Sequence, residues 1–455
     1  MTKNVYIESL GCARNQVDSE IMVALLAQSG WCLTQAPEAA ELIVVNTCGF
    51  IESAVDESID TILALAEYKI RGKCRRLIVT GCLPERYGNQ SAKALPEVDL
   101  FLGTGAYDQV VAAARGSMAR GTCLFPDPDT IDIHAAMMRK PFTSHAAYLK
   151  IAEGCDRRCS FCVIPKLRGR RKSRAVDAIV AEARALIDDG AREITLVAQE
   201  TTAYGGDLAA PLDLAGLMAR LAKLDPTVWI RFLYGHPQTV TSRLMQTMAR
   251  FDNICPYFDI PIQHAANKLL RRMGRGYTYD DLVGLFEKIR TVFPRGAIRT
   301  TVLVGFPGES EADVDQVVKL MDRVRFDHLG VFTYSDAEDL ASHGLAGHVA
   351  PQVAQERLDR LMGRQRRICA QLLERYAGRR LSVMVDKAAE PGLYVARSMF
   401  QAPEVDGCVL IRSTESLSPG RILKVRIHET LDYDLIAEPD PHPRQVHGVH
   451  ERFET

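Results

Sequence analysis

Three cysteines stand within eight residues, Cys155, Cys159 and Cys162 of the stretch Gly154-Cys-Asp-Arg-Arg-Cys-Ser-Phe-Cys-Val-Ile-Pro165, directly behind a strand-like apolar run at 147–152. Thiolates are the soft ligands that hold iron–sulfur clusters. A 4Fe–4S cubane takes four cysteines, so three close together leave one iron without a protein thiolate. An open metal position is what binding a substrate requires, beyond carrying electrons. A zinc knuckle or a redox Cys-x-x-Cys is the competing reading, although zinc would want a fourth Cys or His nearby.

The chain holds twelve cysteines, and its start, Met1 to Glu8, lacks the long apolar stretch of an export signal. That usage reads as metal or redox chemistry in a reducing compartment and predicts a cytoplasmic protein. No apolar run approaches the roughly 18 residues of a membrane span, so no membrane partner is expected. The 455 residues, 47% hydrophobic and 25% charged, suit a globular chain of two to four domains. A net charge of −1 supplies no global field for nucleic acid, and any such contact would need a local patch.

The first 115 residues repeat one pattern three times: a short β-branched run closes on a cysteine, at Cys12, Cys48 and Cys82. Such runs read as buried parallel strands. Helical stretches at 18–29 and 51–68 alternate with them, which predicts an N-terminal α/β domain at 3–116, a doubly wound parallel sheet. Ligands bind such sheets outside the carboxyl ends of the strands, where all three cysteines fall. They are expected to converge as a second three-thiolate site, with Gly11, Gly49 and Gly81 letting backbone approach a bulky ligand. Buried packing cysteines are the competing reading. The other six, Cys32, Cys74, Cys123, Cys255, Cys369 and Cys408, show no partner spacing and read as packing residues.

Residues 117–140, with Pro126 and Pro128, read as a linker. Strand candidates follow at 147–152, 193–198, 229–234, 257–262, 298–304 and 328–333, with helical stretches between them. Six βα units predict a partial TIM-type (β/α)6 barrel within a core at 141–378, with chemistry at its C-terminal face. The Cys155 loop follows the first strand, on that face. A charged helix at 351–376 reads as a solvated face. Short β runs between turn signals at 379–439 predict a small β-barrel. Residues 440–455 carry His442, His447 and His450 without apolar pattern, and a disordered tail is expected.

Taken together, these groups resemble the methylthiotransferase family of radical S-adenosylmethionine (SAM) enzymes. The resemblance rests on the Cys155 motif, Ser9-Leu-Gly-Cys12, Val45-Asn-Thr-Cys48-Gly-Phe50, Val79-Thr-Gly-Cys82 and Gly305-Phe-Pro-Gly-Glu309. It covers nearly the whole chain to about residue 438, the small barrel being a TRAM domain. Gln199-Glu-Thr-Thr-Ala-Tyr-Gly205, Phe258-Asp-Ile-Pro-Ile-Gln-His-Ala265 and 397–407 are similar to the subgroup that modifies an aspartate of small-subunit ribosomal protein twelve. The resemblance implies two 4Fe–4S clusters, held by Cys12, Cys48 and Cys82 and by Cys155, Cys159 and Cys162. The second trio is implied to be catalytic, binding SAM, with Phe161, Gly305 and Glu309 as cofactor-binding residues. One SAM would methylate a sulfide on the first cluster. Another would be cleaved to a 5′-deoxyadenosyl radical that takes a hydrogen from the aspartate β-carbon. An electron donor such as flavodoxin or ferredoxin is implied too. The chain departs from many relatives in having Ala175 after Ser173-Arg174.

A tRNA adenosine methylthiotransferase would have the same clusters and domains. A tRNA-gripping barrel should be basic, whereas 380–439 holds seven Lys and Arg against nine acids. A basic ribosomal protein is the better partner for that surface, and nucleic acid is not the expected substrate. Glu404 and Asp406 are the acids expected to meet it. A non-enzymatic two-cluster electron carrier would need neither the open iron nor the barrel.

Overall fold

The computed structural model describes residues 3–131, 133 and 139–440. The expected tail, apart from residue 440, lies outside the described residues.

Six parallel strands form the N-terminal sheet: β1 (Lys3–Ser9), β2 (Trp31–Leu33), β3 (Leu42–Thr47), β4 (Arg76–Gly81), β5 (Leu100–Leu102) and β6 (Thr122–Leu124). Their order is β2-β1-β3-β4-β5-β6. Every β3 residue is buried. Ile43 and Val45 meet one apolar layer, and Val44 meets the other beside helix α1 (Ala13–Gln28). A strand covered on both faces needs no polar alternation, which is why its sequence is an unbroken β-branched run. The chain turns from β2 back past β1 to β3, and β1, β3 and β4 are neighbours. Their carboxyl ends, and the cysteines behind them, are therefore adjacent.

Strands β2, β5 and β6 escape the sequence reading because three residues carry no period. β6 pairs with β5 and lies inside 117–140, so that stretch is not all linker; its first part completes the sheet.

The core strands are β7 (Ala146–Lys150), then after a short antiparallel pair, β8 (Ala152–Glu153) and β9 (Lys172–Ser173), come β10 (Glu193–Val197), β11 (Trp229–Phe232), β12 (Tyr257–Asp259), β13 (Ala297–Val304) and β14 (His328–Thr333). All six expected strands are present, most of them shorter. They form two parallel three-stranded sheets, β11-β10-β7 and β12-β13-β14. Between β11 and β12 the ladder gives way to Asp259, which accepts from Tyr234 N (2.8 Å) with its carboxylate and from Gly235 N (2.8 Å) with its carbonyl. Helices Val176–Asp188, Leu214–Leu221, Ser242–Arg250, Tyr279–Val292 and Glu311–Val324 bury apolar residues in the same core.

Helix Pro351–Leu373 packs its Leu361 and Ile368 into that core. Its outward arginines, Arg360, Arg364 and Arg366, pair with Asp315, Asp322 and Asp432. Beyond it β15 (Arg380–Glu390), β16 (Leu393–Ser398), β17 (Val409–Arg412), β18 (Ile422–Thr430) and β19 (Leu435–Pro439) close into a barrel ordered β15-β16-β17-β19-β18.

This barrel docks on the amino ends of the core strands, away from the Cys155 loop. Glu193, the first residue of β10, is fully buried between Arg231 (2.7 Å) and Arg397 of β16 (2.7 Å). Burial alone would raise its carboxyl, but Arg397 and Arg231 hold it below the ordinary range. Tyr257 donates to Asp406 at 2.6 Å, and Arg231 Nη1 donates to the Met399 carbonyl at 2.9 Å. The Asp406 carboxylate, 1% exposed, also lies 3.4 Å from Arg299 and 3.5 Å from His328. The expectation that Asp406 meets a partner is therefore corrected: it ties the small barrel to the core. Only Glu404 of the pair is exposed.

Glu193→Gln should cost about 3–5 kcal/mol, since it leaves the fully buried Arg231 without its counter-charge, while Arg397 keeps Asp386. The urea midpoint of the variant would fall well below wild type; a change under about 1 kcal/mol would mean that water replaces the carboxylate.

Candidate active site at the meeting of two cysteine trios

The β8–β9 pair pinches the base of the loop carrying Cys155, Cys159 and Cys162. Cys155 N donates to Gly169 O (3.0 Å), Ser160 N to Met273 O (3.1 Å) and Ser342 N to Ser160 O (2.9 Å), so both flanks of the loop are fastened to the core. All three thiols are free and half-buried. Arg157 N donates to Cys155 Sγ and Arg275 Nη1 to Cys159 Sγ, each at 3.4 Å. Burial pushes the Cys162 thiol up to about 12, with its two neighbouring cysteines adding to the rise, and burial also raises Cys155. A metal binding there must displace protons.

In the N-terminal sheet Cys12 caps α1, Cys48 follows β3 and Cys82 follows β4. The loops touch. A Cβ on Gly11 would stand 2.9 Å from Cys48 Cβ, and one on Gly49 would stand 2.8 Å from the Cys82 carbonyl oxygen. Only glycine permits that approach. Asn15 Nδ2 binds Leu10 O (3.1 Å) and Thr47 O (2.9 Å), stitching the Cys12 and Cys48 loops. Burial raises the Cys82 thiol and pushes Cys48 up to about 11; at Cys12 burial is the largest single influence, but Arg14, the Asn15 amide and Arg168 together outweigh it and lower the thiol.

Two arginines join the trios. Arg168, on the short helix Ile164–Arg168 just past Cys162, donates to Cys82 Sγ (3.5 Å) and to Asn15 Oδ1 (2.5 Å). Its other nitrogen meets Asp18 (2.8 Å) and Glu153 (3.5 Å), which share Lys150. Burial opposes ionisation of Glu153, yet Lys150 and then Arg168 hold it at about 2. Arg14 donates to Cys12 Sγ (3.4 Å) and to Ala198 O (3.1 Å), just past β10. Its charge also reaches Cys48, Cys82 and Cys162. Cys82 packs with Val163, Leu167 and Leu340, so the segments that carry the two trios meet at one junction.

Sequence reasoning missed Arg14, Asn15, Lys150 and Arg168. Their proximity to the cysteine motifs was the available signal, but nothing in spacing says that a side chain will cross to the other domain.

Among the three expected cofactor residues, Phe161 is half-buried against Phe306 and Met273. Gly305, at φ 77°, packs on Ala354, where a Cβ would stand 2.6 Å from its methyl. Glu309 turns inward: one oxygen accepts from Phe306 N (3.1 Å) and the other lies 3.5 Å from Arg357. Burial pushes its carboxyl up to about 7. A native pKa above the unfolded one means that stability is lost as pH rises through it. Glu309→Gln should therefore gain on wild type by up to about 3 kcal/mol between pH 5 and 8, read as a growing difference in Tm. A pH-independent difference would mean that Arg357 keeps the carboxylate charged throughout.

The donor sets suit iron–sulfur clusters: three free thiols at each place, with peptide and guanidinium N–H groups directed at sulfur. Among the described residues no three His, Cys, Asp or Glu side chains gather tightly enough for a single metal ion. The cysteines of a cubane each bind a different iron and stand further apart. None of the described helices is long and apolar enough to cross a membrane.

Three family descriptions match the chain: the uncharacterized protein family UPF0004 over residues 4–103, the radical SAM superfamily over 149–321 and the TRAM domain over 377–439. Fold, thiols and matches define a radical SAM enzyme, a class that uses SAM and a 4Fe–4S cluster. A protein of Desulfosudis oleivorans named ribosomal protein uS12 methylthiotransferase RimO is 50% identical over 436 residues, covering 95% of this chain and 99% of its own. Proteins with that name from Anaeromyxobacter sp. strain K and Clostridioides difficile are 44% and 40% identical, covering 96% and 95% of this chain and 93% and 98% of their own. The chain belongs to this RimO family of methylthiotransferases. Among solved structures, the radical SAM methyltransferase TsrM of Kitasatospora setae shares the fold with TM-score 0.57 at 13% identity, covering 81% of this chain and 89% of its own.

Proposed function

We propose that this chain thiomethylates the β-carbon of an aspartate in ribosomal protein uS12, using two 4Fe–4S clusters. The observation that carries the reading is the meeting of two three-thiol sites across one domain junction, in a chain whose relatives bear that name. Cys155, Cys159 and Cys162 hold one cluster and leave an iron for SAM; Cys12, Cys48 and Cys82 hold the other. When bound, these groups supply the sulfur, the methyl and the radical that an unactivated C–H bond demands. The protein brings the two sites and a peptide loop within reach of one another. Arg168 keeps the sites in register, because one guanidinium binds Cys82 of one and the buried Asp18–Glu153–Lys150 group beside the other.

The reading includes a cytoplasmic setting, a flavodoxin- or ferredoxin-type electron donor and a net acidic small barrel facing a basic ribosomal protein, free or within the subunit. The test is mass spectrometry of uS12 and of bulk tRNA from cells with and without the gene. Loss of one methylthio group from uS12 in the deletion supports the reading; loss from tRNA with uS12 unchanged overturns it.

A further inference from the structure

Most buried arginines near the junction meet a carboxylate: Arg168 has Asp18 and Glu153, Arg139 has Glu20 and Glu182, and Arg174 has Glu182. Arg14 does not. Among the described residues its partners are the Cys12 thiol, the Ala198 carbonyl and the face of Tyr234, whose ring lies 4.6 Å from the guanidinium carbon. Tyr234 takes a left-handed backbone, φ 62°, which a bulky aromatic residue rarely adopts. It is held there by Asp259, which accepts its amide. The guanidinium is thus clamped on one face and fixed at two nitrogens, and it sits between the trios. A guanidinium has five N–H donors in a planar fork that matches a carboxylate.

We propose that Arg14 receives the carboxylate of the substrate aspartate at the junction of the two cysteine sites, which makes it a substrate-positioning and specificity residue. The inference rests on the reading above that the reacting residue is an aspartate. Its chemistry is direct: the β-carbon of aspartate is bonded to the carboxyl carbon, so anchoring the carboxylate fixes the reacting carbon to within one bond. A carboxylate arriving there meets a charge that the fold has left without an acid, and an asparagine would forfeit the charge-assisted pair.

The test uses full-length, cluster-reconstituted enzyme as wild type, Arg14→Lys and Arg14→Gln. Each is paired with purified uS12 and with uS12 whose target aspartate is replaced by asparagine. The readouts are Kd for each uS12 form, iron content, and the reduction potentials of the clusters. Wild type should bind the aspartate form more tightly by a factor of roughly 30 or more, Arg14→Lys should retain part of that preference, and Arg14→Gln should bind both forms alike. The substrate exchange leaves the enzyme untouched, so equal binding by wild type overturns the inference even if a variant fails to fold, and Arg14→Lys tests the assignment where Arg14→Gln does not fold.

Equal binding of both forms by wild type overturns the inference. So does a preference that survives in Arg14→Gln; a cluster potential that falls in the same variant would then make Arg14 a charge balance for the cluster alone. If wild type modifies uS12 yet shows either result, only this inference fails. If wild type neither binds nor modifies uS12, the functional reading fails and takes the inference with it.

Discussion

Replacing Cys155, Cys159 and Cys162 together by alanine should lower the iron content of reconstituted protein from about eight atoms to about four and abolish 5′-deoxyadenosine formation. The three thiols lie on one loop whose flanks are fastened by backbone bonds to Gly169, Met273 and Ser342 rather than by the thiols, so the fold should survive. Loss of SAM cleavage should be complete, because residual thiols elsewhere cannot supply an open iron at the carboxyl ends of the core strands. Iron analysis and chromatography of the nucleoside check it. A triple variant that still makes 5′-deoxyadenosine would place the radical site elsewhere.

Replacing Cys12, Cys48 and Cys82 should also remove about four irons, but with the opposite division of activity: SAM cleavage persists and thiomethylation ceases. The two sites stand on different sheets, and the Cys155 loop takes its own fastening from the core. Arg168 loses one contact, to Cys82, and keeps Asp18, Glu153 and Asn15. Thiomethylated product from this variant would show that the three cysteines only fill space. Parallel loss of both activities would show instead that Arg168 and Arg14 couple the sites so tightly that neither forms alone.

The six core strands, the three strands before Cys12, Cys48 and Cys82, and the small barrel were legible because burial imposes a period or an unbroken apolar run. The cysteine triplet at 155–162 was legible because its ligands are local. Three-residue strands such as β6 carry no pattern, and they exist because a longer neighbour offers an edge to pair with. Asp406 shows a different limit. Its turn reads as a surface for a partner protein, yet the docking of the small barrel on the core buries it against Tyr257 and Arg299.

By itself, then, the sequence determined which residue types are placed to hold clusters and which of the longer segments are strands, since thiolate chemistry belongs to the residues themselves and burial on both faces leaves an unbroken apolar run. It did not determine that the two trios meet, that Arg168 crosses to Cys82, or that Arg14 stands between them without an acid. Those contacts join residues as many as 184 positions apart, as from Arg14 to Ala198, and depend on how two sheets pack. No local pattern encodes such packing: a buried guanidinium and a solvated one look the same in one dimension, and only the tertiary structure decides which carboxylate, thiol or ring each one meets.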